Sequence, residues 1–250
     1  MAEDRTSPRE AGEADHGRRV ASMFGRIARW YDFLNHSLSL GQDVIWRRRL
    51  VRRLRLPENG MLLDLACGTM DVTLEALRQY PGARVAALDF SGPMLARGRD
   101  KAAAAGKAAV VVPALADGRC LPLPDASVDA ASIAFGIRNI LPREQAFCEI
   151  FRVLRPGGRL CVLEFGTGKA RIWKGVYNLY LDRLLPMAGR LVSGDAQAYR
   201  YLADTIRAFP SARELAAEMT ASGFSEVFWQ PFLSGIVYVH VARKAPEAAG

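Results

Sequence analysis

The run Leu62-Leu63-Asp64-Leu65-Ala66-Cys67-Gly68-Thr69 is apolar up to a turn, and an amphipathic stretch follows from Asp71. A strand that turns at glycine into a helix lets backbone approach a ligand closely, and the unpaired N–H groups at the helix start favour a carboxylate or phosphate. Asp89 ends the next apolar run roughly 20 residues further on, the spacing at which a carboxylate accepts hydrogen bonds from ribose hydroxyls. Gly68 and Asp89 together point to an adenosine-containing ligand laid across the first two strands. A nicotinamide dinucleotide would want G-x-G-x-x-G to seat its pyrophosphate, and this turn offers Gly68 alone.

The elements that must position these residues follow from hydrophobic spacing. Met61 to Ala66, Arg84 to Asp89, Val110 to Pro113, Val128 to Phe135 and Arg159 to Glu164 are short apolar runs. Between them, Asp71 to Tyr80, Ser91 to Ala105 and Arg143 to Leu154 have helical spacing. Ser91 reads as a helix cap with Pro93 near the first turn, and Pro156-Gly157-Gly158 as the turn that ends the third helix. Such alternation specifies a parallel sheet covered on both faces. Ser211-Ala-Arg-Glu214 is a capping box opening a helix that runs to Gly223. Phe224 to Pro231 and Ile236 to Ala242 then form two strands around Ser234-Gly235. The expected fold is α/β: a Rossmann-like, doubly wound, seven-stranded, mostly parallel sheet with a C-terminal antiparallel hairpin. Residues 1–17 read as a disordered polar tail and 18–250 as a single domain. That domain carries amphipathic N-terminal helices over 18–56 and a helical insertion over 166–208, of a kind that commonly closes a ligand site.

The formal charge of +8 is concentrated, since ten arginines and two aspartates stand between Arg18 and Leu56. Such a surface suits nucleic acid, anionic lipid headgroups or plain solvation. No run of 18 apolar residues is present and the first twenty residues are charged and polar, so neither a signal peptide nor a spanning helix is expected, and the expected location is the cytoplasm. Cys67, Cys120, Cys148 and Cys161 form no CxxC pair and His16, His36 and His240 no ligand cluster, so no disulfide framework or zinc site is expected. Cys67, Cys120 and Cys161 have apolar neighbours and read as small core residues.

The strand with Asp64 and Gly68, the acidic end at Asp89, the loop at Asp117, and Leu154-Arg155-Pro156-Gly157-Gly158 resemble class I S-adenosylmethionine-dependent methyltransferases. Within that class, FGRIARWYDFLNHSLSLGQDVIW (Phe24 to Trp46), FGIRN (Phe135 to Asn139) and YRYLADTIR (Tyr199 to Arg207) followed by Phe209-Pro210 resemble the ubiquinone/menaquinone biosynthesis C-methyltransferase family. The similarity spans nearly all of residues 20–243. It implies S-adenosyl-L-methionine as cofactor, with Gly68 and Thr69 at its methionine end, Asp89 at the ribose, and Asp117 with Gly118 at the adenine. It also implies an enzyme that methylates a ring carbon of a polyprenyl quinol. Demethylmenaquinol is the favoured acceptor and the ubiquinone-pathway 2-methoxy-6-polyprenyl-benzoquinol the second.

Methyl transfer of this kind needs no metal; the carbon must be held about 3 to 3.5 Å from the methyl group, with water excluded. Arg138 and Asn139 follow the fourth strand at its carboxyl end and are the candidates for orienting and polarising the quinol hydroxyl. Arg138 would stabilise an oxyanion, because a guanidinium stays protonated. Tyr31, Tyr199 and Tyr201 are candidates for the ring pocket. A prenyl tail lives in the bilayer, so the basic helices gain a partner in transient peripheral contact with the inner face of the cell membrane. A homodimer is compatible with the sequence, and nucleic acid is not an expected partner. Two positions depart from the family pattern: Met70 replaces a glycine and Ala134 a serine. The competing readings are a methyltransferase for another small molecule and a non-catalytic adenosyl-binding scaffold.

Overall fold

Consecutive apolar residues of the strands serve two different cores. Leu62, Ala87, Ala130 and Leu163 face one side of the sheet and Leu63, Leu88, Ala131 and Val162 the other, the two-residue alternation of a sheet buried on both faces. The structure is a computed structural model that describes residues 39–166 and 196–247 without a break, together with 17, 19–26, 28, 29, 32, 33, 36 and 37. The tail over 1–16, Tyr31, the helical reading of Trp173 to Leu185 and the side chain of Tyr199 lie outside the described residues.

The strands are β1 (Met61–Leu65), β2 (Arg84–Asp89), β3 (Val111–Leu115), β4 (Val128–Ala134), β5 (Leu154–Phe165), β6 (Ser225–Phe232) and β7 (Val237–Arg243). Their order in the sheet is β3-β2-β1-β4-β5-β7-β6. The first five run parallel, and β7 pairs antiparallel with both β5 and β6. The helices are α1 (Gln42–Leu54), α2 (Asp71–Gln79), α3 (Gly92–Ala104), α4 (Arg143–Val153), α5 (Ala196–Ala208) and α6 (Ala212–Ala221); residues 19–26 are also helical. Leu50 and Leu54 of α1, Ala76 and Leu77 of α2 and Leu95 of α3 fill one core. Phe147 and Ile150 of α4 and Leu215 and Met219 of α6 fill the other. Strand order reverses between β1 and β4, so the crevice beyond their carboxyl ends is the switch point where such sheets bind ligands.

Three local expectations change. Pro156-Gly157-Gly158 lies within β5 and is not a free turn: Gly157, at φ 81°, lets its N–H reach the carbonyl of Lys244 at 2.9 Å, and Lys244 N–H donates to Gly158 at 2.9 Å. Ser91 does not cap α3 with its side chain; its hydroxyl donates to the carbonyl of Ala21 at 3.4 Å, tying the N-terminal helical residues to the main sheet. Cys67 and Cys161 are buried, but Cys120 sits exposed in the loop that Asp117 begins. The capping box is formed, Glu214 N–H donating to the Ser211 hydroxyl at 3.3 Å and Ser211 N–H to the Glu214 carboxylate at 2.7 Å.

Met70 has a specific fit. Its backbone is left-handed, at φ 67° and ψ 29°, which costs a side-chain-bearing residue roughly 1–2 kcal/mol. Its side chain is fully buried and occupies the space over Gly98 of α3, where an added Cβ would stand 2.6 Å from Met70 Cγ. The missing family glycine is therefore accommodated by a second glycine. Gly98→Ala is expected to cost roughly 1–3 kcal/mol in the parent chain through overpacking. In a Met70→Gly background it should be neutral or stabilising, so a urea-denaturation cycle should give a coupling at least as large as the parent cost, roughly 1–3 kcal/mol; additive costs would contradict the packing.

Candidate active site

Beyond β1 the chain makes a strained turn: Ala66, Gly68 and Met70 all have positive φ, at 54°, 54° and 67°. Only the glycine takes that conformation without cost, and strain of this kind concentrates at functional sites. The turn aims the Gly68 N–H at Asp89 Oδ2, 2.7 Å away, while Asp89 Oδ1 accepts the Ser91 N–H at 2.7 Å. Each oxygen keeps acceptor capacity for a ligand. Burial pushes the Asp89 carboxyl above its ordinary pKa, and the backbone donors of Ser91, Gly68 and Phe90 oppose it in part.

Gly68 and Asp89 open onto a cavity of about 820 Å³, counted out to solvent. Val20, Ala21 and Phe24 wall it from the N-terminal helical segment, and Asp117, Gly118, Ile140 and Leu141 from the far side. A Cβ on Gly118 would stand 2.9 Å from Ile140 and 3.3 Å from Leu65, so the glycine permits this close approach. The Asp117 carboxylate pairs with Arg119 at 2.7 Å.

A second cavity, of about 330 Å³, is walled by Arg47, Asp64, Thr69 and Asp71 and shares Ala66, Gly68 and Ala134 with the first. Around it runs an ion network: Arg47 pairs with Asp43 and lies 3.4 Å from Asp71, and Lys101 pairs with Asp71 and, at 2.9 Å, with Asp32. Thr69 donates its hydroxyl proton to Asp32 at 2.5 Å.

Asp64 lies beneath the turn, fully buried, accepting from Thr73 at 2.6 Å and Ser132 at 2.8 Å; burial pushes its pKa up to about 6 against those bonds. His240 on β7 is the opposite case. Burial pushes it down to about 4, against its bond to the Ala212 carbonyl. The unfolded histidine takes a proton as pH falls through about 6.5 while the folded one resists until about 4, so its contribution to stability is lost towards acid. The aspartate's contribution is full below 3.8 and is lost as pH rises through about 6. Each is on the order of 3 kcal/mol, with opposite sign. Relative to the parent, His240→Gln should make stability fall more steeply from pH 4 to 6, and Asp64→Asn should make it rise. Urea titrations at stepped pH check this, and slopes that change in the same direction would contradict it.

At the end of β4, Phe135 has φ 57° and packs on Phe165 with ring centroids 4.7 Å apart. The next residues form a short 3-10 turn. It buries Arg138, which donates to Glu164 Oε1 at 2.7 Å and to the Phe135 carbonyl at 2.5 Å. Arg138 Nε and Glu164 Oε2 are buried without a hydrogen-bond partner among the described residues. Burial pushes the Glu164 carboxyl up, with Arg138 opposing. Asn139 accepts the Tyr201 hydroxyl proton at 3.1 Å.

Of the residues singled out from sequence, Gly68, Asp89, Asp117, Gly118 and Asn139 therefore share the larger cavity, Thr69 lies on the smaller, and Arg138 walls neither. Sequence reasoning missed Arg47 and Glu164. Arg47 had a signal, since Asp43, Arg47, Leu50 and Leu54 recur at the spacing of one helical face, here the buried one. Glu164 closes an apolar strand, where a lone acid calls for a buried partner.

The profile of the ubiE/COQ5 methyltransferase family matches residues 12–244. The ubiquinone/menaquinone biosynthesis C-methyltransferase UbiE of Geobacter sulfurreducens is 42% identical over 231 residues, covering 92% of this chain and 90% of that one. The demethylmenaquinone methyltransferase of Corynebacterium glutamicum is 45% identical over 228 residues, covering 91% and 94%. Among solved structures, the [4+2]-cyclase SpnF superposes with a TM-score of 0.68 at 20% identity, covering 91% of this chain and 95% of that one, a likeness of fold alone.

Proposed function

Because the chain belongs to the ubiE/COQ5 methyltransferase family, we propose that it transfers a methyl group from S-adenosylmethionine to a ring carbon of a polyprenyl quinol, with demethylmenaquinol the favoured acceptor. The observation that carries this reading is one cavity in which the Gly68–Asp89 clamp and Asn139 face the same space. Asp89 receives the ribose hydroxyls, Gly68 and Thr69 hold the methionine end, and Asp117 with Gly118 borders the adenine. S-adenosylmethionine bound there supplies an electrophilic methyl group on a sulfonium.

The protein's own part is to hold the quinol and make its ring carbon nucleophilic. Deprotonating the neighbouring hydroxyl does this, and a nearby donor stabilises the oxyanion. Burial raises the Tyr201 phenol above its ordinary pKa, against the charge of Arg138, so at neutral pH Tyr201 donates to Asn139. That bond occupies the Asn139 carbonyl and leaves the amide nitrogen as the donor for a quinol oxygen. Arg138 acts on the same place by charge, from its pair with Glu164. The Phe135–Phe165 pair supplies apolar surface for the ring.

The tail of such a substrate requires access to lipid. No described helix is long and apolar enough to cross a membrane. Arg48, Arg49 and Arg52 on α1 are exposed, and β6 beside them presents Phe228 on the same face, 45% exposed; the next residue, Trp229, points to the opposite face, against His240. Arg53 bonds Gln230, and Arg49 lies 5.2 Å over the Phe232 ring, joining the two elements. Basic and aromatic side chains on one face suit a headgroup layer. Flotation with anionic vesicles at low salt should carry the protein upward, and replacing Arg48, Arg49 and Arg52 with alanine should weaken binding by roughly 100-fold; equal flotation of both would count against this face.

The enzymatic reading is tested by offering the quinol and its oxidised quinone separately. Methylation of the reduced form alone is expected, because the quinone has no hydroxyl to deprotonate. Equal methylation of both, or of neither while the cofactor binds, would reject it.

A further inference from the structure

The Arg138–Glu164 pair is only half closed. A guanidinium and a carboxylate pair most strongly as a fork, two parallel N–H donors on two oxygens. Here Arg138 Nη1 donates to Glu164 Oε1 at 2.7 Å, and the Phe165 N–H donates to the same oxygen at 2.9 Å. Glu164 Oε2 and Arg138 Nε are left over, a buried acceptor and a buried donor without a partner among the described residues. Such atoms carry a desolvation cost that nothing recovers, and in folded proteins they mark a catalytic group or the seat of a bound water. The pair adjoins the acceptor end of the site, because Asn139, the residue after Arg138, faces the larger cavity.

Methylating a quinol ring carbon requires a place for the hydroxyl proton, and the described residues at this end leave few. Arg138 stays protonated. Asn139 has no basic atom and its carbonyl already receives Tyr201, which holds its own proton at neutral pH. Asp89 is taken by Gly68, Ser91 and the ribose. Around Glu164 itself the titratable groups are Arg138 and, opposite it on β7, Tyr238. We propose that Glu164 is the proton acceptor of the reaction, taking the quinol hydroxyl proton on Oε2 through one bridging water; the assignment rests on the quinol-methylation reading above. As the O–H bond breaks, its electron pair enters the ring. The ring carbon forms the new C–C bond to the methyl group, and the C–S bond breaks with its pair left on sulfur. The ring C–H proton then leaves to solvent, its electron pair restores aromaticity, and the oxygen recovers the proton held by Glu164, so one proton is released in all. Arg138 has a counter-ion throughout, first the carboxylate and then the quinolate, so its buried charge is never uncompensated. Burial, which pushes the Glu164 carboxyl up against the charge of Arg138, brings it nearer to a phenol and eases the transfer.

Two reduced quinols test the assignment: short-tail demethylmenaquinol and its analogue fluorinated on the ring that is not methylated, whose hydroxyls are more acidic. Loss of a general base costs about 100- to 10,000-fold in rate, so Glu164→Gln should methylate demethylmenaquinol about 100-fold or more slowly while S-adenosylmethionine affinity is unchanged. Relative to the parent, the fluorinated quinol should lose far less, because it ionises without help. The pH profile should change as well. Parent turnover falls as pH drops through the raised Glu164 pKa; in Glu164→Gln that limb should give way to a steady rise with pH, as the quinolate forms in solution. Equal losses with the two quinols, or a parent-like pH profile, would overturn the assignment. Glutamine leaves Arg138 without a counter-charge, so calorimetry with S-adenosylmethionine checks that the variant is folded. If it does not bind, Glu164→Asp decides, since it keeps the charge and withdraws the carboxylate. A loss that shrinks with the fluorinated quinol then supports the assignment, and an equal loss, or none, overturns it. A parent that methylates neither quinol would instead strike the methyl-transfer reading itself.

Discussion

Asp89→Ala is expected to lose S-adenosylmethionine binding by about 100-fold or more, and methyl transfer with it, while the sheet survives. The carboxylate does two things at once: it accepts the N–H groups of Gly68 and Ser91, and its remaining lone pairs face the cavity. Hydrogen bonds to a charged acceptor contribute roughly 1.5–3 kcal/mol each, and two ribose hydroxyls reach the stated loss. Leaving the two N–H groups unpaired adds roughly 1–3 kcal/mol each to the cost in stability. Asp89→Asn separates the effects, because its single carbonyl can still receive the Gly68 N–H. The asparagine variant should recover most of the stability and little of the affinity. Calorimetry and urea denaturation read the two separately; parent-like affinity in Asp89→Ala would remove the ribose from this place.

The second large effect is expected at the Arg138–Glu164 pair. Both side chains are buried, at 4% and 1% accessible, so removing either leaves an uncompensated charge and costs about 3–5 kcal/mol. Replacing both with apolar residues of similar volume is often neutral or stabilising. Arg138→Met alone should therefore be strongly destabilised, and Arg138→Met with Glu164→Met should regain most of that loss. Turnover should stay low in both, because the charge that favours the quinol oxyanion is gone. A double variant that regained stability and activity together would reduce the pair to a structural device.

The sheet was legible because its evidence is local. Leu62 and Leu63 each had to be buried, the strands are short, and Gly68, Asp89 and the Ser211–Glu214 box mark junctions that backbone chemistry enforces. Where sequence reading failed, a partner distant in the chain decided the outcome. Pro156-Gly157-Gly158 became strand because Lys244 pairs with it, and Ser91 bonds Ala21 rather than its own helix. Met70 stands where the family pattern has a glycine, and its side chain goes into the core over Gly98, a contact that no spacing within the turn announces. The site divides in the same way. Gly68, Asp89, Asp117 and Gly118 sit at strand ends, where the fold itself points to them. Glu164 and the inward turn of Arg47 required the packing of separate segments.

The central claim is that this site moves a methyl group onto a ring carbon. The most direct measurement supplies S-adenosylmethionine deuterated in its methyl group, together with short-tail demethylmenaquinol and its ubiquinone-pathway counterpart, both kept reduced, and locates the label by mass spectrometry and NMR. The account predicts a deuterated ring methyl on demethylmenaquinol with both hydroxyls free, absent with Asp89→Ala. Label on a quinol oxygen, or cofactor binding with neither quinol methylated, would contradict it.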